Sequence, residues 1–353
     1  MFTNQPNEPI RGPLGEMWQP SPAVRAYQTA TMVIIGNTTT TFDIKGIREE
    51  LSNIIYNISP EDTPFMSNAG RESVENTLFE WQRDVLAAAV STNAQIQGDD
   101  VTAFDAVTAT VRMGNRTQIS RKAILVADTV EAVSKAGRKA ELAYQIAKRS
   151  AEIKRDIETN CLANVAAAAG GTGTAPKTGS LGAIIGSIDG TNVSMGAGGA
   201  NPTDALLFTN ARTNGTTRAF TEALLKTVLK GVWVNGGSPD TLMVDSIQKA
   251  VLSAFAGIAT KTYSQTEARP AAIIGAADVY VGEFGTYSVV PNRFQRSLDC
   301  WVFDFEYVAL VYLRPFQVKD LAKTGDAEKK LLLAEWGLKP YTDFAHGLVT
   351  DLV

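Results

Sequence analysis

Histidine occurs once in these 353 residues and cysteine twice. That scarcity removes most metal and redox chemistry, because Cys/His ligand sets need several of each at close spacing. Basic charge is not in excess either. Lys and Arg number 33 against 37 Asp and Glu, for a formal charge of −4, so a global electrostatic grip on nucleic acid is not expected. No run approaches the ~18 to 20 apolar residues of a membrane span. The longest candidate, Val302 to Leu313, is broken by Asp304 and Glu306. The start, MFTNQPNEPI, lacks the basic segment and apolar run of a secretory signal. Cys161 and Cys300 lie far apart and read as free thiols in a reducing cytoplasm. Lysine is absent between Lys45 and Lys122.

What is present describes a folded chain, 44% hydrophobic and 20% charged, long enough for two domains or for one with large extensions. Five of its 14 prolines fall in the first 22 residues, which predicts an extended arm. A short helix is expected over Ile44 to Ile55, where Ile47, Leu51, Ile54 and Ile55 recur at helical spacing. Thr77 to Arg83 alternates aromatic and polar residues, and Val107 to Met113 alternates again. These are two strands flanking a polar excursion too long for a tight hairpin, so they form a protruding arm of sheet. The aromatic side of the first strand, Phe79 and Trp81, must be covered. The cover is the chain's own core, the long-helix region or an adjacent subunit.

Asp128 or Thr129 can cap a helix running to about Ala169, ~60 Å long at ~1.5 Å per residue. Its apolar stripe runs through Val130, Val133, Ala140, Tyr144 and Ala147, then Leu142, Ile146, Ile153 and Ile157. Gly170 to Gly199 holds ten of the 29 glycines and reads as loop or thin strands. After it the pattern is α/β: a helix over 221–230, a strand over 241–244 and a helix after Asp245. Strands are expected over 279–281, 287–290, 301–305, 308–313 and 331–336.

Each trace of catalytic chemistry has a plainer explanation. Gly171 to Thr178 nearly matches a phosphate loop, but Pro176 replaces the second glycine and a helix rather than a strand precedes it. Asp245 at the end of Leu242-Met243-Val244 reads as a helix cap rather than a metal ligand. His346 has no nucleophile elbow to serve and reads as a surface or packed residue. Asp304 and Glu306 would share a face of one strand, as a solvated pair. No catalytic, metal or cofactor site is expected, and no enzyme.

A long helix with arms that leave the core is typical of chains that complete one another in an assembly. With TTFDIKGIREELS at Thr40 to Ser52, SPEDTPF at Ser59 to Phe65, VPNRF at Val290 to Phe294, YLRPF at Tyr312 to Phe316 and AKTGD at Ala322 to Asp326, the chain resembles the major capsid proteins of tailed bacteriophages, the Hong Kong 97-type fold. The resemblance spans roughly residues 38 to 340. It implies an α+β capsid fold with an N-terminal arm over 1–65 and an extended loop region over 66–127. The spine helix and peripheral domain would occupy 128–205 and the axial domain 206–320, with a return to the peripheral domain over 321–353.

The resemblance further implies hexamers and pentamers of an icosahedral shell around double-stranded DNA, in a virion built in the host bacterial cytoplasm. A separate scaffolding protein and a portal are the expected partners, with DNA only as enclosed content and no membrane. No long charged helical segment precedes the arm, so a built-in scaffolding domain is not expected. Phe79, Trp81, Arg83, Arg112 and Arg116 are the expected assembly interface. Some members of this fold cross-link through a lysine of the extended loop. Here Asn76, Asn93 and Asn115 are present but that lysine is not. The alternatives are a nanocompartment shell of the same fold, another virion component such as tail or neck, and a small-molecule enzyme.

Overall fold

A computed structural model describes residues 62–98, 100, 104–107, 109–135, 137–255 and 278–353. The chain divides into two units, 1–52 and 53–353. The expected N-terminal arm, up to residue 61, and the helix over 44–55 lie outside the described residues.

In chain order the described elements begin with α1 (Pro64–Asn68), β1 (Gly70–Ser73), β2 (Leu78–Arg83), β3 (Val111–Arg116), β4 (Gln118–Ala127), α2 (Asp128–Ala132) and α3 (Glu141–Cys161). Next come α4 (Leu181–Ile184), β5 (Val193–Ser194), α5 (Glu222–Val234), β6 (Thr241–Val244) and α6 (Ser246–Ser253). The last are β7 (Val279–Gly282), β8 (Gly285–Pro291), β9 (Cys300–Phe303), β10 (Val308–Asp320), β11 (Ala327–Pro340) and β12 (Gly347–Val349). The strands form a four-stranded sheet β1-β10-β11-β4, a six-stranded sheet β5-β12-β9-β6-β8-β7 and the two-stranded pair β2-β3.

The single long helix expected from 128 to 169 is two helices. Val133 leaves helical geometry and Gly137 takes φ +78°. Glu131 reaches across this break to cap the second helix, its Oε2 accepting from the Glu141 amide at 3.0 Å. That helix, α3, has 21 residues, about 31 Å. It stops at Cys161 because the next residues find partners elsewhere. The Ala163 and Val165 carbonyls accept from the Gly182 and Ser180 amides, and the Ala167 amide donates to Phe208 O at 2.8 Å. Tertiary hydrogen bonds override the helix propensity of the alanines.

The four-stranded sheet lays one face on α3. Along β4, Ile124 and Val126 are buried while Ile119 and Leu125 face solvent. Pro315 has no N–H for the ladder, and the β10–β11 register slips between Arg314 and Gln317. Within the six-stranded sheet β6, β9 and β12 are buried on both faces, with no exposed residue. Met243, Trp301, Phe303 and Leu348 join the core shared with α3, and Leu242, Val244, Val302 and Val349 join a second core with α5. β10, within the expected axial segment, belongs to the four-stranded sheet, and β12, within the expected return, to the six-stranded one.

Asp304 and Glu306 do not share a strand face. Asp304 caps a 3-10 turn over Phe305–Tyr307, accepting from the Glu306 amide at 3.1 Å. The phosphate-loop lookalike is a hairpin, with Gly171 and Thr174 exchanging both backbone bonds at 3.0 Å. Asp245 occupies the cap position of α6 but makes no side-chain cap bond. Cys161 and Cys300 are free and buried.

Candidate assembly surfaces

The pair β2-β3 is the base of a long excursion. Strand pairing runs from Leu78 opposite Arg116 to Arg83 opposite Val111, so the chain leaves at Arg83 and returns at Val111. Every described residue over 84–110 is exposed, and none is in a helix or strand. Val85, Leu86, Val90, Ile96, Phe104 and Val107 are among the exposed large apolar side chains. The excursion also carries Asp84, Asp99, Asp100 and Asp105 and no Lys or Arg.

Its base is anchored in the chain's own core, which decides what covers the aromatic side. Phe79 and Trp81 are buried and stack on each other with centroids 6.0 Å apart. A Cβ on Gly337 would lie 2.5 Å from the Phe79 ring, so that ring rests directly on β11. Trp81 Nε1 donates to Tyr341 O at 3.2 Å, and its ring meets Phe208 at 6.2 Å. Asn115 is fully buried and satisfied. Its Nδ2 donates to Gly179 O and Leu338 O at 3.1 and 2.7 Å, and its Oδ1 accepts from the Gly179 and Arg116 amides. Such an amide has nothing left for a covalent partner. Asn115 and Gly337 were invisible in the strand pattern, since neither adds to the alternation.

The three arginines separate. Arg83, half-buried, holds its guanidinium 4.6 Å over the Phe344 ring. Beside it the Asp343 carboxyl is pushed by burial up to about 6, against the opposing pull of the Ile188 amide and Arg83. Arg112 is exposed and pairs with Glu80 on the facing strand. Arg116 is half-buried at the end of β3.

A second concave surface lies between α1, β1, α3 and β10. This cavity of about 600 Å³ is lined by Met66, Arg71, Lys154, Tyr312, Pro315 and Phe316, with Thr63, Ser67 and Ser150. It carries two cations and no carboxylate, and neither Arg71 nor Lys154 makes an ion pair among the described residues. His346 is fully buried. Burial lowers its pKa to about 4, and Nε2 sits 3.3 Å from Tyr307 O. It is therefore a packed neutral residue. Among the described residues no cluster of three His, Cys, Asp or Glu could hold a metal, and no helix is long and apolar enough to cross a membrane.

Comparison with known proteins agrees with this geometry. The SU10 major capsid protein family matches residues 34–353. The major capsid protein of Escherichia phage Phieco32 is 27% identical over 338 residues, covering 87% of this chain and 95% of that protein. A chain of the cyanophage A-1(L) capsid asymmetric unit superposes with a TM-score of 0.62 at 12% identity, covering 89% of this chain and 98% of its own. A chain from Gordonia phage Cozz gives 0.56 at 12% identity, covering 87% and 91%.

Proposed function

Because the chain belongs to the SU10 major capsid protein family it is the structural protein of a phage shell and not an enzyme, and we propose that its copies assemble as hexamers and pentamers into an icosahedral head enclosing double-stranded DNA. The family sets aside the nanocompartment and the tail or neck alternatives. In this reading residues 1–65 are the N-terminal arm, 66–127 the extended loop region and 128–205 the spine helix and peripheral domain. Residues 206–320 are mainly the axial domain, and 321–353 return to the peripheral domain. A separate scaffolding protein and a portal complete the set of partners.

The observation that carries the reading is the exposed excursion over 84–110. Its described residues present apolar side chains, and its sequence holds four Asp and no Lys or Arg. Exposed apolar surface of that extent is covered in the working state of a protein. The groove of Arg71, Lys154, Tyr312 and Phe316 on a neighbouring copy has the complementary character, apolar with two cations and no carboxylate among its described lining residues. Phe79, Trp81 and Arg83 then fix the base of the loop, and Arg112 and Arg116 line the side that meets the neighbour.

Electron microscopy of the purified overexpressed protein tests the reading. Closed shells, formed alone or with the co-expressed scaffolding protein, support it, while tubes or open stacked rings refute it. Charge reversal tests the contact. Arg71→Glu with Lys154→Glu blocks shell formation, and Asp99→Lys with Asp100→Lys restores it. Reversal without effect removes the groove from the scheme. With no lysine on the loop, a non-covalent shell boiled in detergent and reductant releases one band near the monomer mass. A ladder of oligomers would contradict it.

A further inference from the structure

In the last turn of α3 a carboxylate is buried. Glu158 is fully buried and makes no ion pair among the described residues. Its Oε1 accepts from the Phe65 amide at 2.8 Å and from Asn292 Nδ2 at 2.6 Å, and its Oε2 accepts from the Met66 amide at 2.8 Å. Phe65 and Met66 are the second and third residues of α1, and Pro64 before them has no N–H. They are the first amides that this helix offers. Thr63, at the cap position, makes no side-chain cap bond. Glu158 does that work from 93 residues away.

Asn292 extends the joint. Its Oδ1 accepts from the Phe294 amide at 2.8 Å, and its own amide donates to Val244 O at 2.9 Å. One carboxylate thus bonds α1, the spine helix and the loop that leaves β8 beside β6. The Phe65 ring reinforces it, 5.4 Å from Phe303 and 5.9 Å from Phe305.

A residue that merely filled this space would be neutral, because an unpaired buried charge is costly. Burial does push this carboxyl up. The Met66, Phe65 and Asn292 donors pull the other way, and no charged neighbour among the described residues contributes. What ionised Glu supplies and Gln does not is two acceptor oxygens for three donors. Helix α1, with five residues, is too short to hold itself. A helix already fixed in the free subunit has less freedom to lose when copies assemble.

We propose that Glu158 is a positioning residue for assembly, fixing helix α1 in the subunit and tying it to the six-stranded sheet. This rests on the shell reading above.

The test uses the full chain with Glu158→Gln, amide-resolved hydrogen exchange and the rate of shell formation by light scattering. In the variant one carbonyl oxygen still serves Phe65 and Asn292, while Met66 faces an NH2 group. The Met66 amide is expected to exchange at least tenfold faster, with wild-type circular dichroism and shell formation slowed about tenfold. Unchanged Met66 exchange overturns the proposal, as does wild-type assembly despite faster exchange. Asn292→Ala cuts only the tie to the sheet and keeps the proposal falsifiable should Glu158→Gln not fold. It is expected to slow assembly less, and wild-type assembly with unchanged Phe65 and Met66 exchange would overturn the tie. Wild-type protein that makes tubes instead of closed shells, with the scaffolding protein co-expressed, defeats the shell reading, and the exchange data alone then judge Glu158 as the anchor of α1.

Discussion

The two large sheets solve different problems. The six-stranded sheet has cores on both faces, so β6, β9 and β12 are buried at every position. The four-stranded sheet packs α3 on one face, and the first half of β4 alternates half-buried and exposed residues. A strand between two cores cannot tolerate truncation on either side. A strand with one wet face can lose its outward residues freely. The largest expected effect is therefore in the six-stranded sheet. Trp301→Ala, stacked on Phe303 at 5.8 Å, should destabilise by about 3–5 kcal/mol. Leu125→Ala, 66% exposed on β4, should stay within ~0.5 kcal/mol. Urea unfolding of both variants measures the contrast, and equal losses would break it.

Gly337 sharpens the comparison where the loop base meets the four-stranded sheet. Its missing side chain is the seat of the Phe79 ring. Gly337→Ala inserts a methyl into that contact, and overpacking of this kind costs about 1–3 kcal/mol. Gly337→Ala with Phe79→Leu should recover part of the loss, which a double-mutant cycle would show.

These sheets also explain what could be read in advance. Thr77 to Arg83 alternates, and a strand stands there over Leu78–Arg83. Thr241 to Val244 is a short apolar run, and it too is a strand. The long helix misled because the chain breaks at Val133 and Gly137 within an apolar pattern, and because the Ala-rich stretch after Cys161 bonds to residues 180 and 208 instead of to itself. Position 304 misled because a side-chain cap outbid the strand pattern. Of the expected interface, Phe79 and Trp81 were legible as an aromatic stripe. What covers a stripe is set by residues hundreds of positions away, Gly337 and Tyr341, and no local period reports them. Glu158 and Asn115 were hidden for the same reason, since polar residues on a helix or strand read as solvent-facing until their partners are known.

A subtler test lies at the hinge between the sheets, the turn from β11 to β12. Asp343 and His346 are both buried there, and burial shifts them in opposite directions. The Asp343 carboxyl rises from 3.8 to about 6. Its contribution to stability is therefore full below 3.8 and lost as pH rises through about 6, a change of about 3 kcal/mol. The His346 imidazole falls from 6.5 to about 4. Its contribution is full above 6.5 and lost as pH falls toward about 4, by a similar ~3 kcal/mol. Between pH 4 and 6.5 the two slopes offset. Asp343→Asn should expose the histidine slope, so that stability drops on acidification more steeply than in the wild type. His346→Gln should expose the opposite slope. Urea midpoints at pH 4.5 and 7 measure both, and parallel profiles in all three proteins would rule the scheme out.

The smallest expected change in folding belongs to Arg112, and that is why it is informative. Its guanidinium is exposed and meets Glu80 across the β2-β3 pair. Ion pairs held in water gain little, because solvent screens them and two long side chains lose freedom in forming them. Arg112→Ala should leave the unfolding midpoint of the subunit unchanged. The loop base will not loosen, since Phe79, Trp81 and Asn115 hold it from the other side. If the exposed side of β3 meets a neighbouring subunit, however, the same pair becomes desolvated on assembly. Removing one partner then leaves a carboxylate stranded at the interface. Shell formation by Arg112→Ala should accordingly slow while monomer stability holds, and Glu80→Gln in the same chain should relieve the defect by removing the stranded charge. Normal assembly of Arg112→Ala would place this face of the pair in solvent in the finished shell. It would also confine the loop's contacts to residues 84–110.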